Sequence, residues 1–163
     1  MHYYNLMSQE IERKFKVKRK PWTNNDIPSE IVQGYLSLDS ARTVRIRTEI
    51  TENRGIGTIT VKGEPVDIVR NEYEYKIPFS DAQQLLENGM CIAKLRKRRY
   101  SLMFGGHLWY IDEFLDNNAG LVLAELELTH TTDSWEKPEW LGEEVTHDPN
   151  YYNSRLVIKP QIK

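Results

Sequence analysis

Residues 43–48 read Thr-Val-Arg-Ile-Arg-Thr, a stretch in which apolar and polar side chains alternate. Successive side chains of a β-strand point to opposite faces, so this alternation predicts a strand. Val44 and Ile46 would share one face, and Arg45 and Arg47 would share the other. One face of the strand therefore suits an apolar core, and the other carries two guanidinium groups.

The same alternation recurs along most of the chain, with turn residues between most of the runs. Gly105 and Gly106 lie between two of these runs and are typical of a hairpin turn. Eight strands joined in this way predict a mainly β fold, either a closed antiparallel barrel or a sandwich. The predicted strands cover residues 10–17, 34–37, 43–48, 57–62, 71–77, 94–103, 107–114 and 121–129.

Two stretches favour helices instead. Ser80 and Gln83 have the spacing of a capping box, and Gly89 is a typical helix stop. A second helix would begin near Asp148, because an N-cap residue followed by a proline, here Pro149, is common at helix starts.

Composition narrows the class of protein. The chain has 163 residues, of which 39% are apolar and 28% charged, so we expect a single globular domain over residues 1–163. A net charge of −2 argues against a general nucleic-acid coat protein. A single cysteine, Cys91, allows no intrachain disulfide, and residues 1–9 lack the features of a signal peptide. We therefore expect a cytoplasmic protein.

Like charges are stacked on the polar faces of the predicted strands. For any single strand, ordinary solvation of an exposed face is the usual explanation. Neighbouring like charges repel each other, however, and a ligand between them would remove that repulsion. Guanidinium groups hold phosphate oxygens two at a time, and carboxylate pairs hold Mg²⁺ or Mn²⁺. The pattern thus favours a barrel interior that binds a metal–polyphosphate complex. The stacked pairs are Glu10 and Glu12, Arg45 and Arg47, Lys97 and Arg99, and Glu125 and Glu127.

Short charged and aromatic segments follow one another in a specific order. They are Glu10-Ile11-Glu12-Arg13-Lys14, Gln33-Gly34-Tyr35-Leu36, Val44-Arg45-Ile46-Arg47, Thr60-Val61-Lys62, Asn71-Glu72-Tyr73-Glu74, Lys97-Arg98-Arg99-Tyr100, Ile111-Asp112 with Phe114, Ala124-Glu125-Leu126-Glu127, and Trp140-Leu141-Gly142-Glu143-Glu144-Val145-Thr146. In this order they resemble the CYTH superfamily, the triphosphate tunnel metalloenzymes. The resemblance extends from residue 10 to about residue 156. The first segment, ExExK, would be weak evidence alone, and the ordered series makes the resemblance specific.

The resemblance implies a closed eight-stranded antiparallel barrel, or tunnel, with a few helices packed outside it and at the C-terminus. It also implies a bound divalent metal and chemistry on triphosphates. The second and last segments look most like the bacterial tripolyphosphatase-type branch. We therefore expect hydrolysis of inorganic tripolyphosphate to phosphate and pyrophosphate with Mg²⁺ or Mn²⁺. The expected partner is a triphosphate-containing small molecule, not a nucleic acid duplex or a membrane.

The family motifs also imply roles for individual side chains. Lys14 would take part in catalysis together with the first two glutamates, and Tyr35 would act as a lid over the substrate. The substrate-binding cations would be Arg45, Arg47, Lys62, Lys97 and Arg99. The metal-binding carboxylates would be Glu10, Glu12, Glu125 and Glu127, supported by Glu72, Glu74 and Asp112.

Several alternatives stay open at the level of sequence. The same tunnel would suit nucleotide or thiamine triphosphate hydrolysis or adenylyl cyclisation, and a non-catalytic polyphosphate-binding module would carry similar charges. Residues 94–99 are basic on both faces, so Lys94 and Arg96 compete with Lys97 and Arg99 for the inward position. The sequence leaves open whether the protein is a monomer or a homodimer. It also leaves open whether the C-terminal segment closes the tunnel.

Overall fold

The computed structural model describes residues 9–161, which form nine strands and two α-helices. The prediction that residues 1–9 lack the features of a signal peptide falls almost entirely on residues 1–8, which lie outside the described residues. The strands are β1 (Gln9–Val17), β2 (Ser29–Ser37), β3 (Arg42–Thr51), β4 (Arg54–Gly63), β5 (Val69–Ile77), β6 (Ala93–Phe104), β7 (His107–Phe114), β8 (Val122–Glu127) and β9 (Leu141–Glu144). The helices are α1 (Phe79–Glu87) and α2 (Asn153–Leu156).

Eight of the strands close into an antiparallel barrel in the order β5-β4-β3-β2-β6-β7-β8-β1, with β1 returning to β5. The predicted mainly β fold, a closed eight-stranded barrel, is therefore confirmed. The contact that closes it is short, since β1 pairs with β5 only over Gln9 to Ile11. The later part of β1 pairs with β9, a four-residue strand that the alternation of the sequence did not predict.

Two of the three buried apolar clusters among the described residues lie outside the barrel wall. Outward-facing residues such as Phe15, Trp109 and Leu126 form one buried cluster, against which Trp135 and Trp140 pack. A second cluster forms where α1 packs its buried Ala82 and Leu86 on the outer face of β3. Because these two clusters bury apolar side chains on the outside of the sheet, most of the barrel interior is left to polar and charged groups.

The predicted capping box at the start of α1 is wrong. The helix begins earlier, since the carbonyl of Pro78 accepts the first turn's hydrogen bonds from the amides of Asp81 and Ala82. The Ser80 hydroxyl donates instead to the Asp81 side chain. The predicted stop is confirmed, because Gly89 follows the last turn with a φ of 73°, a conformation that favours glycine.

The second predicted helix is divided into two short pieces. Asp148 caps its start, accepting a hydrogen bond of 3.0 Å from the Asn150 amide, and Pro149 takes the first position as predicted. That turn is a 3₁₀ helix ending at Tyr151, and α2 follows it. No helix within residues 9–161 is long and apolar enough to cross a lipid bilayer.

Candidate active site inside the barrel

The alternation of strand side chains brings the sequence-predicted site residues together inside the barrel. Of the two basic pairs on β6, Lys97 and Arg99 are the pair that points into the barrel. Lys94 lies on the outer face, where its amine donates to the carbonyl of Leu86 in α1 at 2.9 Å. Arg96 lies on the same outer face, half-exposed. The inner face of β6 therefore carries one lysine and one arginine.

Arg99 joins two inward carboxylates. Its Nε and Nη2 donate to the two oxygens of Asp112, each at 2.8 Å, and Nη2 also reaches Glu125 at 2.5 Å. Asp112 is completely buried and also pairs with the equally buried Lys97. Burial, together with the nearby guanidinium groups of Arg99 and Arg47, lowers the pKa of Lys97 to about 7. This part of the interior therefore places three basic side chains, Lys97, Arg99 and Arg47, near two carboxylates, Asp112 and Glu125.

Two arginines of β3 extend this basic region. Arg45 donates to the Thr60 hydroxyl at 3.0 Å and to Glu74 at 3.3 Å. Within residues 9–161, the buried Nε groups of Arg45 and Arg47 have no hydrogen-bond partner. Burial and the neighbouring charges of Arg45 and Arg99 lower the pKa of Arg47 to about 10. Buried N–H groups without partners and unbalanced positive charge are what an anion-binding site presents to its ligand.

The carboxylates of β1 and β5 lie across the interior. Glu10 accepts from Lys62 at 2.8 Å and from Arg70 at 2.5 Å, and Lys62 also pairs with Glu72 at 2.7 Å. These two cations lower the pKa of Glu10, although burial opposes the shift. Glu10 is therefore ionised and held between two basic side chains.

Glu12 and Glu127 carry negative charge that is less well balanced. They are direct partners across β1 and β8. Burial is the main cause that raises the pKa of Glu12, and the nearby charge of Glu125 raises it further. Burial is also the main cause that raises the pKa of Glu127, to about 7, and the charges of Glu12 and Glu10 contribute to this shift. A bound cation would relieve this repulsion, and an all-carboxylate donor set is the type that Mg²⁺ and Mn²⁺ prefer.

Lys14 lies between two of these carboxylates. Its amine is 3.3 Å from Glu12 and 3.0 Å from Glu125, and their charges raise its pKa despite its burial. Within residues 9–161, no three carboxylate, imidazole or thiol groups are gathered closely enough to form a ready-made metal site. In the arrangement described, lysine and arginine side chains lie between the carboxylates.

Tyr35 lies on the inner face of β2, where its hydroxyl accepts a hydrogen bond of 3.1 Å from Gln33. It is buried, and it lines a cavity together with Lys14 and Arg45. The other residues of this cavity include Glu10, Glu12, Lys62, Arg70, Thr146, Tyr152 and Asn153. The cavity therefore runs from the charged interior to the C-terminal segment.

The C-terminal segment covers one end of the interior. Next to the charged groups, the inner faces of β6, β7 and β8 carry apolar side chains. These are Leu95, Phe114 and Leu123, each two residues along its strand from Lys97, Asp112 and Glu125 respectively. They form a buried apolar cluster with Val145 and with Leu156 of α2. The charged region is therefore bounded on this side by hydrophobic packing.

Sequence reasoning missed two inward residues. Arg70 precedes the predicted run 71–77 by one residue, but it has the same parity as Glu72 and Glu74, and that parity was the available signal. Gln33 was part of the quoted motif, but no role was expected of it.

The comparisons with known proteins agree with this geometry. The CYTH domain family matches residues 8–155 of the chain. An inorganic triphosphatase of Acetivibrio thermocellus is 41% identical over 154 residues, covering 94% of this chain and 96% of that protein. An inorganic triphosphatase of Nitrosomonas europaea is 33% identical over 157 residues, covering 91% and 97%. The crystal structure of the inorganic triphosphatase NE1496 superimposes with a TM-score of 0.65 at 30% identity, covering 93% of this chain and 97% of that one. The chain therefore belongs to the CYTH domain family.

Proposed function

We propose that this protein hydrolyses inorganic triphosphate to phosphate and pyrophosphate with a divalent cation, Mg²⁺ or Mn²⁺. The observation that carries the proposal is that two groups of charged side chains inside the barrel are left without full balance. Buried N–H groups of Arg45 and Arg47 without partners in residues 9–161 lie on one side of the interior. The repelling carboxylates of Glu12 and Glu127 lie opposite each other on another side. A triphosphate bound together with a cation would balance both groups of charges.

In this proposal the basic residues hold the phosphate chain. Phosphoryl transfer depends mainly on positioning and on stabilising the charge of the transferring group. Arg45 and Arg99 are already fixed by hydrogen bonds to Glu74 and Asp112, so little side-chain entropy is lost when they bind phosphate. Arg47 and Lys97 would supply further charge, and Lys62 and Arg70 would bind at the far end of the cavity.

Glu12, Glu125 and Glu127 are the carboxylates that would hold the cation. Enzymes of this family depend in general on a divalent metal, and carboxylate oxygens are the donors that Mg²⁺ and Mn²⁺ prefer. Such a cation, when bound, neutralises phosphate charge and orients the attacking water. Glu10, Glu72, Glu74 and Asp112 would act around that site by holding the basic residues that bind the phosphate chain.

Lys14 would act as a cation in the reaction. Its raised pKa keeps the amine protonated at neutral pH, so it has no capacity to accept a proton from water. Placed between Glu12 and Glu125, it would position a phosphate oxygen or the attacking water.

The relatives support the choice of substrate. Two of them, similar over nearly their whole length, are named inorganic triphosphatases. A cytoplasmic location and a monomeric or homodimeric state accompany the proposal as predictions. Light scattering coupled to size-exclusion chromatography would measure the second.

The proposal is tested by following products with ³¹P NMR. With Mg²⁺ or Mn²⁺, tripolyphosphate should give equal amounts of phosphate and pyrophosphate. A Glu12→Gln variant with an unchanged melting temperature should give neither. Cyclic AMP and pyrophosphate from ATP would indicate a cyclase instead, and tight binding without turnover at any metal concentration would indicate a binding module.

A further inference from the structure

Arg47 differs from the other inward cations in the partner that holds it. Arg45 is held by Glu74, Lys62 by Glu10 and Glu72, and Lys97 and Arg99 by Asp112. Within residues 9–161, Arg47 forms no ion pair with a carboxylate. Its Nη2 instead donates to the side-chain carbonyl of Gln33 at 3.4 Å.

Gln33 is a buried amide in the wall of the charged interior. Its side chain is fully buried, with 0% of the residue exposed, and the residue is the direct partner of Arg47 across β2 and β3. An arginine has no acceptor, so the amide oxygen must face Arg47 and the amide nitrogen must face the other way. That nitrogen donates to the Tyr35 hydroxyl at 3.1 Å. The orientation of the amide is therefore determined by its two neighbours.

This orientation has two consequences for an anion in the interior. A neutral acceptor holds the Arg47 guanidinium in place without cancelling its charge, as a carboxylate would. Because the Tyr35 oxygen accepts from Gln33, the Tyr35 proton is left to donate in another direction. Tyr35 lines the cavity together with Arg45 and Lys14, so this proton is available to a phosphate oxygen there.

We propose that Gln33 is a positioning residue for substrate binding, which leaves the charge of Arg47 and the hydroxyl proton of Tyr35 available to the phosphate chain. This inference rests on the proposed function, since it takes a phosphate chain to be the ligand of the interior.

The sharpest test is Gln33→Glu, which changes one amide into a carboxylate of the same size. The new carboxylate would pair with Arg47, accept the Tyr35 proton and repel the phosphate chain. We expect binding of inorganic pyrophosphate, measured by calorimetry in EDTA, to weaken about tenfold or more. The melting temperature should not fall, because an ion pair with Arg47 replaces a long hydrogen bond. If Gln33 had a merely structural role, weaker pyrophosphate binding would be accompanied by a lower melting temperature.

Two further variants complete the experiment. Gln83→Glu makes the same chemical change on the exposed surface of α1 and should leave pyrophosphate binding within about twofold of wild type. Gln33→Met removes both hydrogen bonds without adding charge, so it should weaken binding by less than Gln33→Glu and should raise KM for triphosphate more than it lowers kcat. If Gln33→Glu does not fold, Gln33→Met decides the question.

The outcomes separate this inference from the proposed function. Wild-type affinity in Gln33→Glu, with wild-type protein binding pyrophosphate normally, would overturn the role of Gln33 alone. The same holds for wild-type affinity and KM in Gln33→Met. A wild-type protein that binds no pyrophosphate and hydrolyses no triphosphate would overturn both.

Discussion

Replacing Arg99 by leucine tests whether the inner face of β6 has been assigned correctly. Arg99 donates three hydrogen bonds of 2.5 to 2.8 Å to Asp112 and Glu125, both of which are buried. Removing one partner of a buried ion pair costs about 3–5 kcal/mol. Each carboxylate keeps a second cation, Lys97 for Asp112 and Lys14 for Glu125, so we expect the lower limit, about 3 kcal/mol.

Calorimetric melting in EDTA measures this cost. For a chain of this size, 1 kcal/mol shifts the melting temperature by about 2–4 °C, so Arg99→Leu should melt roughly 6–12 °C lower. The matched control is Arg98→Leu, one position along on the outer face, where Arg98 pairs with Glu30 at 2.8 Å and both side chains are half-exposed. An exposed pair is worth less than about 1 kcal/mol, so the control should shift by less than about 4 °C. Equal losses in the two variants would refute the assignment of faces.

Three further predictions concern individual residues. Glu127→Gln should abolish metal-dependent phosphate release with the fold intact. The control, Glu143→Gln on the exposed part of β9, should release phosphate normally. Near-normal turnover of Glu127→Gln would show that Glu127 does not belong to the metal site. Arg45→Ala should lower kcat/KM for triphosphate by about a hundredfold, since a charge-assisted contact that tightens in the transition state is lost, and an unchanged value would place Arg45 outside the site. The folded pKa of Lys97 lies near 7 and its unfolded pKa near 10.5, so the unfolded chain binds more protons in between. The free energy of unfolding of wild type should therefore rise between pH 7 and 10 relative to Lys97→Met, and parallel pH profiles would contradict the shifted pKa.

The barrel was predictable because its two faces differ so strongly in charge. Over residues 44–47 of β3, apolar and basic side chains alternate, and this alternation alone assigns each to a face. On β6 the alternation does not show which face points into the barrel, because basic residues occupy both faces. There the outward direction of Lys94 depends on a carbonyl of α1, a contact that no pattern within β6 contains.

The parts that sequence did not predict depend on tertiary contacts. β9 has only four residues and is held by its pairing with β1, so it has no periodicity of its own to detect. Ser80 does not cap α1, because the helix begins earlier, with the carbonyl of Pro78 accepting its first hydrogen bonds. The contact of Gln33 with Arg47 lies between two strands, so the sequence of β2 alone could not show it.

The decisive measurement is phosphate release from tripolyphosphate, ATP and thiamine triphosphate, each with Mg²⁺, with Mn²⁺ and with EDTA. We expect release chiefly from tripolyphosphate, with either metal and not in EDTA. Release chiefly from ATP or thiamine triphosphate would keep the charged interior but contradict the inorganic substrate. No release from any substrate, or equal release in EDTA, would contradict a metal-dependent triphosphatase.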